Sequence, residues 1–292
     1  MSPAIAPAVK PAIVVTGAST GIGRAVAEVA VKNGAHVFAS VRSGEDAWNL
    51  QRDLGEAVTP LIFDVTDEAG VREGAAQVAE ALGNRRLMGL VNNAGVAVPG
   101  PLLHVPPEEV SRQLEVNLVG QHRVTLAFAP LLGVDEKREG KKGRIVMMSS
   151  VGGRFAQPFV GPYVASKFAL EGYSQSLRRE LMLYGVDVVV IGPGAIATPI
   201  WDKADKNDFA KFTNTPYAPM LEKARKIMIR NGQTGLDPKL VGELVWKALT
   251  AEKPKARYAI VKRPFLDYYL PLMLPIRLVD RITAKRLGMP KS

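Results

Sequence analysis

The stretch AIVVTGASTGIGRAVAEVAVKNGAHVFAS, residues 12–40, holds two short β-branched runs separated by a glycine-rich turn and a longer segment. The runs AIVVT (12–16) and HVFAS (36–40) predict strands, and residues 21–33 predict a helix between them. Two strands joined through a helix run parallel, because the helix returns the chain to the edge where the first strand began. This unit predicts an α/β fold.

The same alternation continues to the C-terminal region, with apolar strands that imply a sheet covered on both faces. We therefore predict an α/β, three-layer, doubly wound fold with a seven-stranded parallel sheet, in one domain over 1–292. A lid-like segment at 199–237 is the least regular part. The predicted strands are 12–16, 36–40, 58–63, 87–92, 144–149, 186–192 and 257–261, and the predicted helices are 21–33, 46–54, 67–82, 107–132, 163–184 and 238–250.

Composition narrows the possible classes of protein. The 292 residues are 47% hydrophobic, which is enough for a large core, and contain no cysteine, which excludes disulfides and thiol catalysis. Three histidines, His36, His104 and His122, lack metal-ligand spacing, so we predict no metal site. The first 15 residues lack a signal-peptide pattern, and no stretch approaches the ~20 apolar residues that span a bilayer. We expect a cytoplasmic protein.

The net charge of +10 is concentrated in one segment. Residues 253–292 carry ten Lys or Arg against two Asp, which gives +8 of the total. No aromatic and basic pattern of a nucleic-acid module accompanies this charge, so we predict no nucleic-acid partner.

The glycine-rich turn TGASTGIG (16–23) predicts a nucleotide site. Gly17 and Gly21 permit a tight turn, Gly23 permits close packing of helix and strand, and the helix N-terminus attracts a diphosphate. The spacing is G-x-x-x-G-x-G and differs from the common G-x-G-x-x-G fingerprint. A purely structural turn is the alternative.

The segment GPYVASKFAL (161–170) places Tyr163 and Lys167 one helical turn apart, directly after Pro162. A cation beside a phenol favours the phenolate and lowers its pKa. Tyr163 could then exchange protons near neutral pH. A helix that merely exposes a Tyr and a Lys is the alternative for this motif taken alone.

Polar residues also follow the third and fourth predicted strands. NNAG (92–95) lies where the strand order of a doubly wound sheet reverses, so Asn92 and Asn93 could contact a cofactor or brace the strand ends. Asp64 could accept a hydrogen bond from an adenine amine or cap the next helix.

Seven elements in order resemble the classical short-chain dehydrogenase/reductase family, whose fold is of the Rossmann type. The elements are TGASTGIG, Asp64-Val65, NNAG, Asn117, Ser150, Tyr163-x-x-x-Lys167 and PGAIAT (193–198), and the 13-residue interval from Ser150 to Tyr163 is the family's. The resemblance covers about residues 12–200. It implies an NAD(P)-dependent alcohol dehydrogenase or carbonyl reductase.

The resemblance also implies a role for each residue. Tyr163 exchanges the proton with the substrate oxygen, and Ser150 hydrogen-bonds that oxygen. Lys167 lowers the phenol pKa and binds the nicotinamide ribose, and Asn117 holds a water that links Lys167 to solvent. Thr198 contacts the nicotinamide carboxamide with Ile196 beside it, and Ser149 points away from the site. The implied cofactor residues are Gly17, Ser19, Thr20, Gly21, Ile22, Gly23, Arg42, Asp64, Val65, Asn92, Ala94, Gly95, Tyr163, Lys167, Pro193, Gly194, Ile196 and Thr198.

The end of the second strand favours NADP(H) over NAD(H). NAD-preferring members place an Asp there, whereas this chain has Val41 followed by Arg42, whose guanidinium suits a 2′-phosphate. Ser40 and Ser43 could add hydroxyl donors. NADP-preferring members of the family also carry a Lys or Arg just before the second glycine, whereas this chain has Thr20 before Gly21. NAD(H) therefore remains the alternative cofactor. The alternative role for Arg42 is that of an ordinary solvated charge.

Apolar residues predict a lipophilic alcohol or carbonyl substrate, such as a steroid, retinoid, fatty or aryl compound. The C-terminal third resembles the retinol and 17β-hydroxysteroid dehydrogenase branch. Some of these side chains could instead close the core. The predicted substrate residues are Val98, Phe155, Phe159 and Trp201, and Phe209 and Phe212 are further pocket candidates.

The basic, apolar C-terminal tail, 263–292, has two interpretations. It could lie at an anionic membrane surface as a peripheral contact, or pack on the substrate pocket or a neighbouring subunit. Pro271 and Pro275 interrupt a helix and favour packing. The family resemblance implies a homodimer or homotetramer paired through the helices near 107–132 and 163–184. A nucleotide-binding sensor without turnover is the alternative function.

Overall fold

A seven-stranded sheet forms the centre of the protein, whose computed structural model describes residues 10–198 and 209–289. All neighbouring strands are parallel and follow the order β3-β2-β1-β4-β5-β6-β7, which confirms the predicted doubly wound sheet. The strands are β1 Ala12–Val15, β2 His36–Val41, β3 Val58–Ile62, β4 Gly89–Asn92, β5 Arg144–Met148, β6 Asp187–Pro193 and β7 Arg257–Ile260.

Helices cover both faces of the sheet and bury its alternating side chains. Val14, paired in register with Phe38 and Leu90, belongs to one core cluster, and its neighbours Ile13 and Val15 belong to the other. The helices are α1 Gly21–Lys32, α2 Gly44–Leu54, α3 Glu68–Leu82, α4 Pro107–Leu114, α5 Gly120–Ala129, α6 Gly161–Glu180, α7 Ala218–Gln233, α8 Pro238–Thr250, α9 Leu270–Met273 and α10 Ile276–Leu287.

Two core clusters give the three-layer architecture. Helices α3, α5 and α6 pack on the face of Val14, whereas α1, α2 and α8 pack on the face of Val15. The strand order reverses at β1, which lies between β2 and β4. A crevice therefore opens at the carboxyl ends of β1 and β4, where TGASTGIG and NNAG follow their strands.

Two predicted helical regions differ from the structure. The single helix expected over 107–132 is α4 and α5 joined by a π-helical turn, Glu115–Val119, and a second such turn covers Pro130–Val134. The segment 199–237, which is the least regular part of the sequence, contains α7. Helix α7 begins with Pro219 at its first turn, and Leu221 is buried on its inner face.

The tail, residues 263–289 of the described chain, is helical despite its prolines. A π-helical turn at Phe265–Tyr269 leads into α9, Leu274 is extended, and Pro275 starts α10. The prediction that proline interrupts the helix is confirmed at Pro275, after which a helix of 12 residues begins. It is wrong for Pro271, because Pro271 lies in the first turn of α9, which continues the preceding π-helical turn without a break.

Candidate active site

The glycine turn after β1 adopts the backbone conformation that its sequence predicts. Gly17 and Gly21 have φ of +65° and +60°, in the left-handed region that favours glycine. A Cβ on Gly17 would lie 2.9 Å from the Cα of Ala94, so the turn packs directly on NNAG. These two observations confirm the predicted tight turn.

Gly23 permits a close contact, although not with the strand itself. A Cβ at this position would overlap the carbonyl oxygen of Gly17 and lie 2.5 Å from Nδ2 of Asn93. Asn93 in turn donates from Nδ2 to the carbonyls of Thr16 and Gly17 at 2.9 and 3.1 Å. The helix therefore packs on the turn that follows β1, and Asn93 holds that turn in place.

The N-terminus of α1 fits an anionic group. Thr20 is its extended N-cap residue, and its side chain makes no capping hydrogen bond. The first turn carries no acidic residue, so backbone N–H groups and the positive end of the helix dipole remain for a ligand. Ser19 and Ile22 flank Thr20 and Gly21 in this cradle, which suits the diphosphate of a dinucleotide.

The two asparagines of NNAG have separate roles. Asn92 is fully buried and donates to Oγ1 of Thr125 at 2.9 Å and to the sulfur of Met147 at 3.3 Å. Its side chain is thus committed to bracing β4. The bracing alternative therefore describes the side chain of Asn92, and a cofactor contact at this position stays a prediction.

Asp64 forms a local turn after β3. Its Oδ1 accepts from the backbone N–H and the hydroxyl of Thr66, at 2.9 and 2.8 Å. The cap of α3 is Asp67, which accepts from the N–H of Ala69, so the capping alternative for Asp64 is wrong. Val65 is buried, and a Cβ on Gly120 of α5 would lie 2.8 Å from it.

Ser150 and Tyr163 meet at the end of β5. Both side chains lie beside Gly152, where a Cβ would be 3.3 Å from Oγ of Ser150 and 3.6 Å from Cε1 of Tyr163. Oγ of Ser150 accepts from the N–H of Gly152 at 3.0 Å and donates to the carbonyl of Pro193 at 3.4 Å.

Ser149 is turned away from this pair. Its Oγ is buried 2.7 Å from a Cβ built on Gly153, on the side of α6. Within residues 10–198 and 209–289 this Oγ has no hydrogen-bond partner. The choice of Ser150 over Ser149 therefore agrees with the geometry.

Lys167 lies one turn after Tyr163 on the same face of α6, as the spacing predicts. Its Nζ is 5.7 Å from the centre of the Tyr163 ring and donates to the carbonyl of Met148 at 2.8 Å. Only 5% of Lys167 is exposed. Pro162 occupies the first turn of the helix, which confirms the predicted start.

The π-helical turn Glu115–Val119 places Asn117 beside this cluster. Asn117 is fully buried, accepts from the N–H of Val96 at 2.9 Å, and donates to the Val96 carbonyl and to Oγ of Ser166 at 3.0 Å. A Cβ on Gly95 would lie 3.2 Å from Oδ1 of Asn117 and 3.8 Å from Nζ of Lys167. Asn117 thus stands close to Lys167 and anchors the loop after NNAG.

Burial shifts the acidity of both Tyr163 and Lys167. Burial raises the pKa of Tyr163 above its usual value, and only the nearby hydroxyl of Ser150 acts in the opposite direction. Burial also lowers the pKa of Lys167 to about 8, although the Glu171 carboxylate partly counters this. Nζ of Lys167 donates to the carbonyl of Met148 and not to the phenol oxygen, so the lowering of the phenol pKa that the resemblance implies for Lys167 stays a prediction.

A buried ion pair behind the cluster has no counterpart in the sequence motifs. Arg257 of β7 donates from Nε to both carboxylate oxygens of Glu171, at 3.1 and 3.0 Å. Its other nitrogens donate to the hydroxyl of Tyr268 at 2.7 Å and to the carbonyl of Ser150 at 3.2 Å. Since Glu171 follows Lys167 by one helical turn, this pair connects the tail to the catalytic segment.

Arg42 stands free at the end of β2. It is exposed, and within the described part of the chain it makes no side-chain hydrogen bond or ion pair. The proposed hydroxyl donors are less available: Ser40 is 2% exposed and accepts from the N–H of Gly17, and Ser43 caps α2 through the N–H of Asp46. The prediction for Ser40 is wrong because its side chain is buried.

Residues after β6 approach the glycine turn. Pro193 ends β6, and Gly194 donates its N–H to the carbonyl of Ile260 at 2.9 Å. A Cβ on Gly21 would lie 3.4 Å from Thr198, so Thr198 borders the predicted nucleotide site. Ile196 is buried in the core, which does not support the side-chain contact predicted for it.

The predicted substrate residues occupy different environments. Phe159, with φ of +66°, and Phe212 are buried in a cluster with Leu221 and Leu287, so they follow the core-closing alternative. Val98 is also buried, whereas Phe155 is half-buried after Ser150. Trp201 lies outside the described residues, and so does the side chain of Phe209.

A sequence profile of the short chain dehydrogenase family matches residues 11–208. The chain belongs to this family. It is 38% identical over 274 residues to the NADPH-dependent 3-dehydrocapnine reductase of Ornithobacterium rhinotracheale, which covers 94% of this chain and 96% of that protein. It is 33% identical to retinol dehydrogenase 16 of Mus musculus, over 92% of this chain and 86% of that one.

The fold is also similar to that of a solved structure from the same family. The fold superposes on a short-chain dehydrogenase from Streptomyces avermitilis with a TM-score of 0.75, 28% identity, and coverage of 95% and 94% of the two chains. This family member is thus an NAD(P)-dependent oxidoreductase, and its relatives include the predicted retinol dehydrogenase branch. The sensor alternative gains no support from them.

No helix among residues 10–198 and 209–289 is both long and apolar enough to cross a bilayer.

Proposed function

We propose that this family member is an NADP(H)-preferring carbonyl reductase or alcohol dehydrogenase for lipophilic substrates. The single observation that carries the proposal is that Ser150 and Tyr163 come together beside the buried Lys167, next to the glycine turn. A bound nicotinamide cofactor would supply or accept the hydride at the carbon of the substrate.

Two side chains of this protein donate to the oxygen of the substrate. In reduction, Tyr163 donates its proton to the developing alkoxide while Ser150 donates a hydrogen bond to the same oxygen. The raised pKa of Tyr163 keeps the phenol protonated near neutral pH, so that it can donate a proton in reduction. Lys167 contributes a buried positive charge that stabilises negative charge on the phenol oxygen when the proton leaves.

The cradle at α1 and the residues beyond β2 would hold the dinucleotide. The N–H groups around Thr20 bind the diphosphate, and Lys167 and Thr198 lie toward the nicotinamide end. Arg42, exposed and unpaired among the described residues, binds the 2′-phosphate of NADP(H). The relative named as an NADPH-dependent reductase supports this preference.

A lipophilic substrate is supported by the apolar residues near the site and by one relative's name. Phe155 follows Ser150 and is half-buried, and the cluster of Phe159, Phe212 and Leu221 lies beyond it. One relative is named a retinol dehydrogenase, and retinol is a lipophilic alcohol.

One assay would test both the cofactor preference and the substrate class. NADPH and NADH consumption would be followed over ketones and aldehydes of graded chain length, with Tyr163→Phe as the blank. We expect turnover with NADPH that increases with the size of the apolar group. Turnover that is equal with both cofactors would overturn the NADP preference, and turnover confined to short polar carbonyls would overturn the lipophilic class.

Exposed apolar side chains on α5 and α6 support the proposed homo-oligomer. Leu126 and Phe168 are 61% and 44% exposed, and pairing through these helices would bury them in a homodimer or homotetramer. Light scattering on Leu126→Arg should report a smaller assembly than for the unsubstituted protein. A monomer before substitution would contradict the pairing.

A further inference from the structure

We propose that the tail, residues 263–289, docks on the surface of an anionic lipid bilayer, which goes beyond the proposed function and does not depend on it. Several large apolar side chains of the tail are exposed. Phe265, Tyr269, Leu272 and Met273 are spaced i, i+4, i+7 and i+8 and are 59%, 54%, 38% and 74% exposed. Helical side chains at this spacing share one face.

This apolar face is turned outward, whereas the opposite side is anchored. Tyr268 is 8% exposed, accepts from Arg257 and lies with its ring 5.1 Å from that guanidinium. In a helix that serves only the core, the side chains of Phe265 and Met273 would be the buried ones. The exposure therefore indicates an external partner.

Helix α10 continues this surface and adds positive charge. Ile276, Leu278 and Ile282 are 77%, 41% and 51% exposed, while Leu287 is 7% exposed and packs on Phe212. Arg281 and Lys285 follow Leu278 and Ile282 by three residues each, so cations alternate with apolar side chains on the outer side.

The charge identifies the partner as an anionic bilayer. Residues 262–286 hold six Lys or Arg against Asp267 and Asp280, and these two acids are already paired with Arg263 and Arg277. Arg281, Lys285 and Arg286 have no ion-pair partner within the described chain. Apolar side chains inserted below lipid headgroups, with long cations at the phosphates, satisfy both features of the tail.

Docking would also place the lid side of the molecule at the bilayer. Leu287 of α10 packs in the same cluster as Phe159, which lies between Ser150 and Tyr163 in the chain, and Leu221 of α7. A lipophilic substrate dissolved in the membrane would then enter beside this cluster.

Sedimentation with vesicles tests the proposal directly. Full-length protein would be mixed with vesicles of phosphatidylcholine alone or with phosphatidylglycerol added, at low and high salt. We expect binding to the anionic vesicles that weakens as salt increases. We expect an about tenfold or greater loss of partitioning in both Phe265→Ser/Met273→Ser and Arg281→Glu/Lys285→Glu.

Met182→Ser/Leu183→Ser is the matched control, because these apolar side chains are 69% and 79% exposed, follow α6 and do not belong to the tail. It should bind as the unsubstituted protein does. The proposal is overturned if no form binds anionic vesicles, if the control loses binding equally, or if the tail variants only convert a dimer to a monomer. Retained NADPH turnover on a water-soluble ketone would show that the variants fold and that the proposed function stands apart from this result.

Discussion

At the scale of the residue, Tyr163 and Lys167 have opposite pKa displacements with one cause. Both side chains are taken out of water, and burial disfavours the phenolate of one and the ammonium of the other. Glu171, one turn further along α6, is the group that keeps the Lys167 pKa from falling more. The protonation state of Lys167 therefore depends partly on Glu171, which is not one of the three residues Ser150, Tyr163 and Lys167.

Glu171→Gln should move the alkaline side of the pH profile for carbonyl reduction. The pKa of Lys167 is lowered to about 8, so the ammonium is present below that pH and is lost as pH increases through it. Because the Glu171 carboxylate raises this pKa, its removal should shift the fall in kcat/KM to lower pH. The measurement is kcat/KM against pH, with Glu180→Gln on the same helix as the control. An unshifted profile for Glu171→Gln would contradict this coupling.

Arg42→Ala should weaken NADPH binding and leave NADH binding nearly unchanged. Charge-assisted hydrogen bonds to a phosphate are worth about 1.5–3 kcal/mol, which corresponds to roughly a 10- to 100-fold increase in Kd. Arg52→Ala is the matched control, since Arg52 is exposed on α2, pairs with Asp53 and stacks on Trp48. Calorimetric titration of both cofactors would measure the Kd values, and equal losses for NADPH and NADH would refute the role of Arg42.

At the scale of the element, β7, α6 and the tail are joined by one guanidinium. Arg257 contacts Glu171 on α6, Tyr268 in the tail and the backbone of Ser150. The two charged side chains are 16% and 5% exposed. A buried pair of this kind holds its elements in place chiefly because loss of one partner leaves the other charge unpaired.

Arg257→Met should lower the free energy of unfolding by about 3–5 kcal/mol. The Glu171→Met/Arg257→Met double variant should recover a large part of that loss, because both buried charges are then removed together. Urea denaturation of the single and double variants measures this coupling. Losses that simply add would show that the pair is not the stabilising interaction.

Some helices and turns could be predicted from the sequence, whereas others could not. The helix starting at Pro162 and the glycine turn were predictable, because proline, glycine and four-residue spacing act locally. The π-helical turn that carries Asn117 has no local signature, since its wider turn depends on packing beneath α5. Helix α7 did have a signal in Leu221, Ala224 and Ile227, which recur at helical spacing.

At the scale of the whole molecule, the seven parallel strands and the position of the crevice could be predicted from the alternation of strands and helices. Contacts between residues far apart in the sequence could not be predicted from this alternation. Glu171 and Arg257 are 86 residues apart, and each alone reads as an ordinary surface charge. The sequence likewise left open whether the tail faces outward or packs inward, because only the fold determines which way apolar residues such as Phe265 and Met273 point.

The central claim is that the hydroxyl of Tyr163, beside Ser150 in the crevice, carries the proton to the substrate oxygen. The most direct test is single-turnover NADPH oxidation by Tyr163→Phe with a ketone that the unsubstituted enzyme reduces, with NADPH binding measured on the same samples. The account predicts that NADPH binds with little change while the rate falls by about 10²-fold or more. A Tyr163→Phe enzyme that reduces the ketone at the unsubstituted rate would contradict it.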